Sequence, residues 1–241
     1  MRLTRVTIPS TTAALSALIY EPSEPHLRAC ITLAHGYTAS KESLDLLAAY
    51  LCRKGFGCLT FDFRGHKLGG STGTMESPAD ACDDLQAAAT YTMAHFRRRS
   101  VLLVGHSMGA LASLAVAEHV AAVTGVVAIA TGMSPSRGFA NRAGQALHAQ
   151  RSDYVAGATT ERFLAALDTL AASVRRRPEM PALFVAARRD VFVHPDAVRE
   201  LAARTGGAHR YAEIDAGHAD APTKASGVVA QWTLGLCEKK S

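Results

Sequence analysis

Apolar and polar positions along this chain follow two periods in turn. Residues 3–8 and 13–20 alternate apolar and polar side chains, as half-buried strands do, and together predict an opening antiparallel hairpin. Residues 29–34 are almost wholly apolar, the pattern of a strand buried on both faces of a parallel sheet. Further strands are predicted at 58–61, 101–104, 125–130, 181–187 and 209–214. Between them the spacing becomes helical. Leu44, Leu47, Ala48 and Leu51 share one face of a helix over 42–54, which Gly55 stops. Ser77 and Pro78 supply an N-cap and a first-turn proline for a helix running to about residue 95. Helices are also predicted at 110–118, 195–204 and 223–236.

Strands that alternate with helices predict βαβ units. The rhythm breaks over residues 131–179, which carry no strand signal, one clear helix at 160–177 and a weaker one around 140–150. An insertion after a strand's carboxyl end overhangs the ligand crevice of an open α/β sheet. The expectation is therefore one α/β domain over residues 1–241, with eight mostly parallel strands. A short helical cap, over about 131–180, is expected between the sixth and seventh of them.

Composition narrows the function classes. With 48% hydrophobic and 20% charged residues, the chain has the make-up of a soluble globular protein. Its net charge of +5 raises the question of an anionic partner. Six of the arginines, however, gather in two short runs, Arg97-Arg98-Arg99 and Arg175-Arg176-Arg177, at expected helix ends, where solvated cations complement the helix dipole. No nucleic-acid motif accompanies them, so no nucleic-acid partner is expected. Cys30, Cys52, Cys58, Cys82 and Cys237 make no C-x-x-C pair and no metal spacing, which fits reduced thiols in a cytoplasmic protein with no metal. No apolar run reaches the roughly 18 residues of a membrane span, and the first residues lack the apolar core of a signal peptide. A monomer and a dimer are equally compatible with the chain.

The chemistry centres on Val101-Leu102-Leu103-Val104-Gly105-His106-Ser107-Met108-Gly109-Ala110. A strand, then G-x-S-x-G, then a helix of small residues is the setting of a nucleophile elbow. The serine must stand on a tight, strained turn, and side chains at either flanking glycine would strike the neighbouring strand or helix. A serine hydroxyl needs an imidazole to take its proton and an acid to orient that imidazole. In this arrangement the acid and the histidine follow the serine in that order, at carboxyl ends of later strands. Asp190 and His218 stand at those places, with Asp196 and Asp215 as other acids and His35, His66, His106 and His194 as other histidines. An oxyanion hole needs two amides: that of Met108, after the serine, and that of Tyr37 in the loop His35-Gly36-Tyr37, where Gly36 lets the backbone come close.

His35-Gly36, Asp62-Phe63-Arg64-Gly65-His66, Gly105-His106-Ser107-Met108-Gly109, Asp190 and Gly217-His218 together resemble the α/β-hydrolase superfamily. The resemblance is to the group of monoacylglycerol-lipase-like esterases and serine-aminopeptidase-like hydrolases. It implies the α/β-hydrolase fold and a cofactor-free serine hydrolase that cleaves small to medium acyl esters through an acyl-enzyme on Ser107, with Asp190 and His218 completing a triad. A small-molecule ester is the implied partner. Thioesterase, amidase or peptidase, and acyltransferase activities would use the same triad, and a ligand-binding protein of the same fold is the non-catalytic alternative. Two departures stand out. Lys67-Leu68 intervene before Gly69-Gly70-Ser71, where the group has a continuous R-G-H-G-x-S loop, and Ala187 stands where it has a glycine three residues before the acid. Within the cap, Phe139 and Phe163 are candidate substrate contacts beside Gly36 and His106, and its short length implies an open site.

Overall fold

The computed structural model describes residues 1–24, 29–177 and 179–238. Its strands are β1 (Arg2–Pro9), β2 (Ala14–Glu21), β3 (Cys30–Ala34), β4 (Gly57–Phe61), β5 (Val101–His106), β6 (Val123–Ile129), β7 (Ala182–Ala187) and β8 (His209–Ile214). They form one eight-stranded sheet in the order β1-β2-β4-β3-β5-β6-β7-β8. β1 pairs antiparallel with β2, and β2 antiparallel with β4; every later pairing is parallel. This is the expected α/β-hydrolase architecture, with the hairpin at its edge.

The helices are α1 (Asp45–Arg53), α2 (Pro78–His95), α3 (Met108–His119), α4 (Pro135–Ala140), α5 (Arg142–Arg151), α6 (Thr160–Ser173), α7 (Pro195–Arg204), α8 (Ala221–Lys224) and α9 (Ser226–Glu238). Each central strand is apolar on both faces because both are covered. On β5, Val101 and Leu103 join one core with α2, α3 and α6, whereas Leu102 and Val104 join the other with α1 and α9. The same period of two splits β7 into Phe184 with Ala186 and Leu183 with Val185.

Three local expectations fail. The helix expected over 160–177 stops at Ser173, so the second arginine run lies beyond it. Arg176 is not a solvated helix-end cation. It is buried, and its guanidinium donates to the carbonyls of Met180 and Ala208 at 2.8 and 3.0 Å, and to those of Gly206 and Gly207. Among the described residues no carboxylate pairs with it, and burial lowers its pKa. Arg177 likewise donates to Ala117 and Val123 carbonyls at the end of α3 and the start of β6. Part of the positive charge thus satisfies backbone oxygens inside the fold. The weak helix around 140–150 is present as α5, and α4, for which no helix is expected from the sequence, precedes it, divided from it at Asn141. The helix expected over 223–236 is divided into α8 and α9.

Candidate active site

Ser107 occupies the turn between β5 and α3 with φ 54° and ψ −117°, a conformation that L residues avoid. Its neighbours explain both glycines. A β-carbon on Gly105 would lie 2.3 Å from the Gly109 carbonyl oxygen, and one on Gly109 would lie 2.3 Å from that of Ala34. The helix α3 and the strand β3 therefore press against the turn from both sides. The Ser107 amide donates to the Ile129 carbonyl at 2.9 Å, which ties the strained residue to β6.

Asp190 lies just beyond β7 and His218 just beyond β8. His218 Nδ1 lies 2.7 Å from Asp190 Oδ2, and the other carboxylate oxygen accepts the amides of Phe192 and Val193 at 2.8 and 2.9 Å. The carboxylate is fully buried, while the His218 side chain is 18% exposed. The acid and histidine loops are sewn together by the Arg188 and Arg189 amides, which donate to Ile214 and Ala216, and by the Arg189–Asp215 ion pair at 2.7 Å. Asp215 is thereby occupied, and Asp196 pairs with Arg199 on the surface. Ala187 needs no glycine, since its φ is not positive.

Ser107 and His218 line one enclosed cavity with Tyr37 and Met108. Among the described residues, no hydrogen bond joins the Ser107 hydroxyl to His218, and the Tyr37 and Met108 amides donate to no protein acceptor. Such bonds are often loose before substrate arrives and tighten around it. Gly36 contributes closeness: a β-carbon there would meet Ser107 Cβ and His106 Nδ1, each at 3.2 Å.

Two expected substrate contacts are corrected. His106 does not line the cavity. The strand direction sends its ring away from the Ser107 side chain, and Nε2 lies 3.0 Å from the His218 carbonyl oxygen. A carbonyl can only accept, so Nε2 carries the proton and His106 donates. Its ring packs 4.8 Å from that of His218. Burial holds its pKa well below the usual histidine value. Phe163 lies off the cavity as well: it stacks on the Tyr37 ring at 5.0 Å, while the Tyr37 hydroxyl meets Thr160 Oγ1 at 3.3 Å. Phe139 does line the cavity, together with Leu164 and Leu167. The expectation of an open site also fails, because α4 and α6 close over Ser107.

His35 and His66 are buried behind the site. Phe63 N–H donates to His35 Nε2 at 3.1 Å, so the His35 proton sits on Nδ1, 2.8 Å from the Gly36 carbonyl. Burial pushes His35 down to about 4 and His66 to about 3. Asp62 is a buried anchor: it accepts Lys41 Nζ at 2.6 Å, Lys41 N at 2.7 Å and Gly70 N at 2.9 Å. A β-carbon on Gly69 would lie 2.1 Å from Asp62 Cγ, so the glycines let the loop fold over this carboxylate. Of the two extra residues, Lys67 donates its amide to the Tyr154 carbonyl at 2.9 Å, and Leu68 is exposed.

Sequence reasoning missed Phe192 and Val193. Phe192 sits edge-on to His218 at 5.2 Å, and both residues line the cavity. Their closeness to Asp190 in sequence was the one available signal.

The chain has known relatives in sequence family and in fold. A family model described as serine aminopeptidase, S33, matches residues 25–158, which include Ser107 but stop before Asp190 and His218. No curated protein matches the chain. Among solved structures, the esterase Pf2001 of Pyrococcus furiosus superposes with TM-score 0.71 at 21% identity, covering 98% of this chain and 91% of that one. A thermophilic esterase from Thermogutta terrifontis gives 0.68 at 20% identity, covering 98% of each chain. Est1E from Butyrivibrio proteoclasticus, with ferulic acid bound, gives 0.75 at 16% identity, covering 95% of this chain and 98% of that one. At these identities the likeness to solved structures is one of fold, whereas the family match spans more than half of the sequence. The chain belongs to the serine aminopeptidase S33 family of hydrolases.

Proposed function

We propose that this protein hydrolyses carboxylic esters, with Ser107 as nucleophile, His218 as general base and then acid, and Asp190 holding the imidazole. One observation carries the reading: the buried Asp190 carboxylate, fixed by two amides, meets His218 Nδ1 at 2.7 Å and leaves Nε2 free on the side of the cavity that Ser107 shares. In the first step Ser107 Oγ bonds to the acyl carbon and its proton passes to His218 Nε2. The Met108 and Tyr37 amides receive the oxyanion. The acyl carbon–alkoxide bond then breaks, and His218 returns the proton to the leaving alcohol. Water adds to the acyl carbon as His218 takes its proton. The bond to Ser107 Oγ breaks, the serine regains a proton, and a carboxylic acid leaves. No cofactor enters this scheme.

The cavity chemistry favours an ester over an aminopeptide, whatever the family's name. A substrate ammonium calls for an acidic partner, and the described residues lining the cavity include no carboxylate. We read the helices between β6 and β7 as a cap on a single catalytic domain. No described helix is long and apolar enough to cross a membrane, and the buried thiols of Cys30, Cys52 and Cys58 fit a reducing cytoplasm. The test is labelling with a fluorophosphonate beside hydrolysis of p-nitrophenyl acetate. The parent is expected to label on Ser107, and Ser107→Ala to lose labelling and roughly 10⁴-fold or more of its activity while still folded. A Ser107→Ala protein with near-parental turnover would overturn the assignment.

A further inference from the structure

The cavity at Ser107 is far smaller than the pocket of an enzyme for long acyl chains. It holds about 20 Å³, room for about one water molecule. Phe139, Leu164 and Leu167 wall it from the cap, Thr131 and Gly132 from the end of β6, and Val193 from the acid loop. These walls are fastened on two sides. At the back, the Ala156 amide donates to Gly65 at 2.8 Å, Met75 N to Ala156 at 2.8 Å, and Ala158 N to Met75 at 3.0 Å, so the cap segment pairs with the core like a short strand. At the front, Asn141 Nδ2 donates to the Val191 carbonyl at 2.6 Å. A β-carbon on Gly138 would lie only 2.3 Å from the Phe192 carbonyl oxygen, so α4 rests directly on the acid loop. Within the cap, the Ser136 amide donates to Asp168 on α6 at 3.0 Å.

We propose that the acyl group this site accepts is acetyl-sized, and that the substrates are acetyl esters whose alcohol lies outside the cavity. The inference rests on the hydrolase reading above. In the acyl-enzyme the acyl carbon is bonded to Ser107 Oγ and its oxygen faces the Met108 and Tyr37 amides. The rest of the acyl group must enter the apolar space beside Ser107. A methyl group fits a void that holds one water. Each further methylene must displace a packed wall that is hydrogen-bonded in place, and overfilling a packed interior is unfavourable.

The experiment compares kcat/KM for p-nitrophenyl acetate, butyrate and octanoate, in the parent and in Phe139→Ala and Leu167→Ala, with fluorophosphonate labelling of Ser107 alongside. Phe139 is half-buried, so its truncation is the milder of the two. For the parent, acetate is expected to exceed butyrate by about tenfold or more, with octanoate lower still. Each truncation is expected to move the optimum toward butyrate. A parent that labels on Ser107 and cleaves octanoate as well as acetate overturns the size limit alone, whether or not the variants fold. Folded variants with an unchanged chain-length profile also overturn it. A parent that neither labels nor cleaves any of the esters overturns the hydrolase reading itself.

Discussion

The carboxyl edge of the sheet and the cap above it serve one cavity, but they are held by different physics. Ser107, Asp190 and His218 stand at the ends of β5, β7 and β8, whose places are fixed by backbone ladders; β5 and β7 are buried throughout, and β8 is the partly exposed edge strand beside β7. The cap helices have no ladder. They are held by side-chain packing, with Phe163, Leu164, Leu167 and Ala171 of α6 in the core beside α2 and α3, and by a stacked Tyr37–Phe163 pair, an amide on Val191, and a few backbone bonds to Gly65 and Met75. Chemistry that must be placed within tenths of an ångström sits at the ends of laddered strands, and the part that sets what fits sits on helices fastened over them by packing and a few hydrogen bonds.

If that division holds, the largest effects belong to the sheet edge. Asp190→Asn keeps the size of the side chain and removes its charge, so the imidazole loses the partner that fixes its tautomer. The expected loss in kcat/KM is about 10³- to 10⁴-fold, with folding retained. Kinetics of the variant on p-nitrophenyl acetate check this, and a variant within tenfold of the parent would show that another group orients His218. Changes in the cap walls are expected to alter chain-length preference instead and leave labelling of Ser107 intact.

The histidines behind the edge predict the next effect, on stability. His35, His66 and His106 are buried and neutral, with folded pKa values of about 4, about 3 and well below the ordinary value. Unfolded histidines titrate near 6.5. As pH drops below that value, the unfolded chain gains protons that the folded chain refuses, so stability is whole above about pH 6.5 and falls below it. Each such histidine contributes a slope of up to ~1.4 kcal/mol per pH unit. Urea midpoints at pH 7.5, 6 and 5 measure the sum. Equal midpoints at pH 7.5 and 5 would mean that these rings take up protons in the fold.

How far the sequence reads depends on the same division. The elbow is legible because its rules are local: a strand, two glycines under a close approach, and a helix of small residues. Asp190 and His218 are legible because they follow the last two strands. Phe163 was expected in the cavity because its apolar character is visible and its direction is not; only the packing of α6 on the oxyanion loop turns it toward Tyr37. Arg176 misleads for the opposite reason. A charge run looks solvated until the fold gathers several carbonyl oxygens around it. The openness of the site is unreadable in the sequence, since it depends on where Gly138 and Phe192, far apart along the chain, meet.

His106 provides the finest test, because it belongs to the sheet edge without touching the reacting atoms. Its Nε2–H donates to the carbonyl of His218, 3.0 Å away, and its ring supports the His218 ring from the side. The histidine loop is also held by backbone bonds at Ile214 and Ala216, by the Arg189–Asp215 pair, by the His218–Asp190 bond, and by the Gly217 amide, which donates to Asp220 at 2.7 Å. His106 is therefore a positioning residue. His106→Phe keeps a flat ring in the buried site but removes the donor, leaving a carbonyl unpaired and the histidine loop free to shift. A displacement of a few tenths of an ångström between His218 and Ser107 is felt in the chemical step rather than in ground-state binding. The expected outcome is a fall in kcat of about 10- to 100-fold with KM nearly unchanged. His106→Gln can offer an N–H to the same carbonyl and is expected to recover part of the loss. A folded His106→Phe with parental kcat would remove this role. A His106→Gln no better than His106→Phe would make the loss one of packing, not of the hydrogen bond.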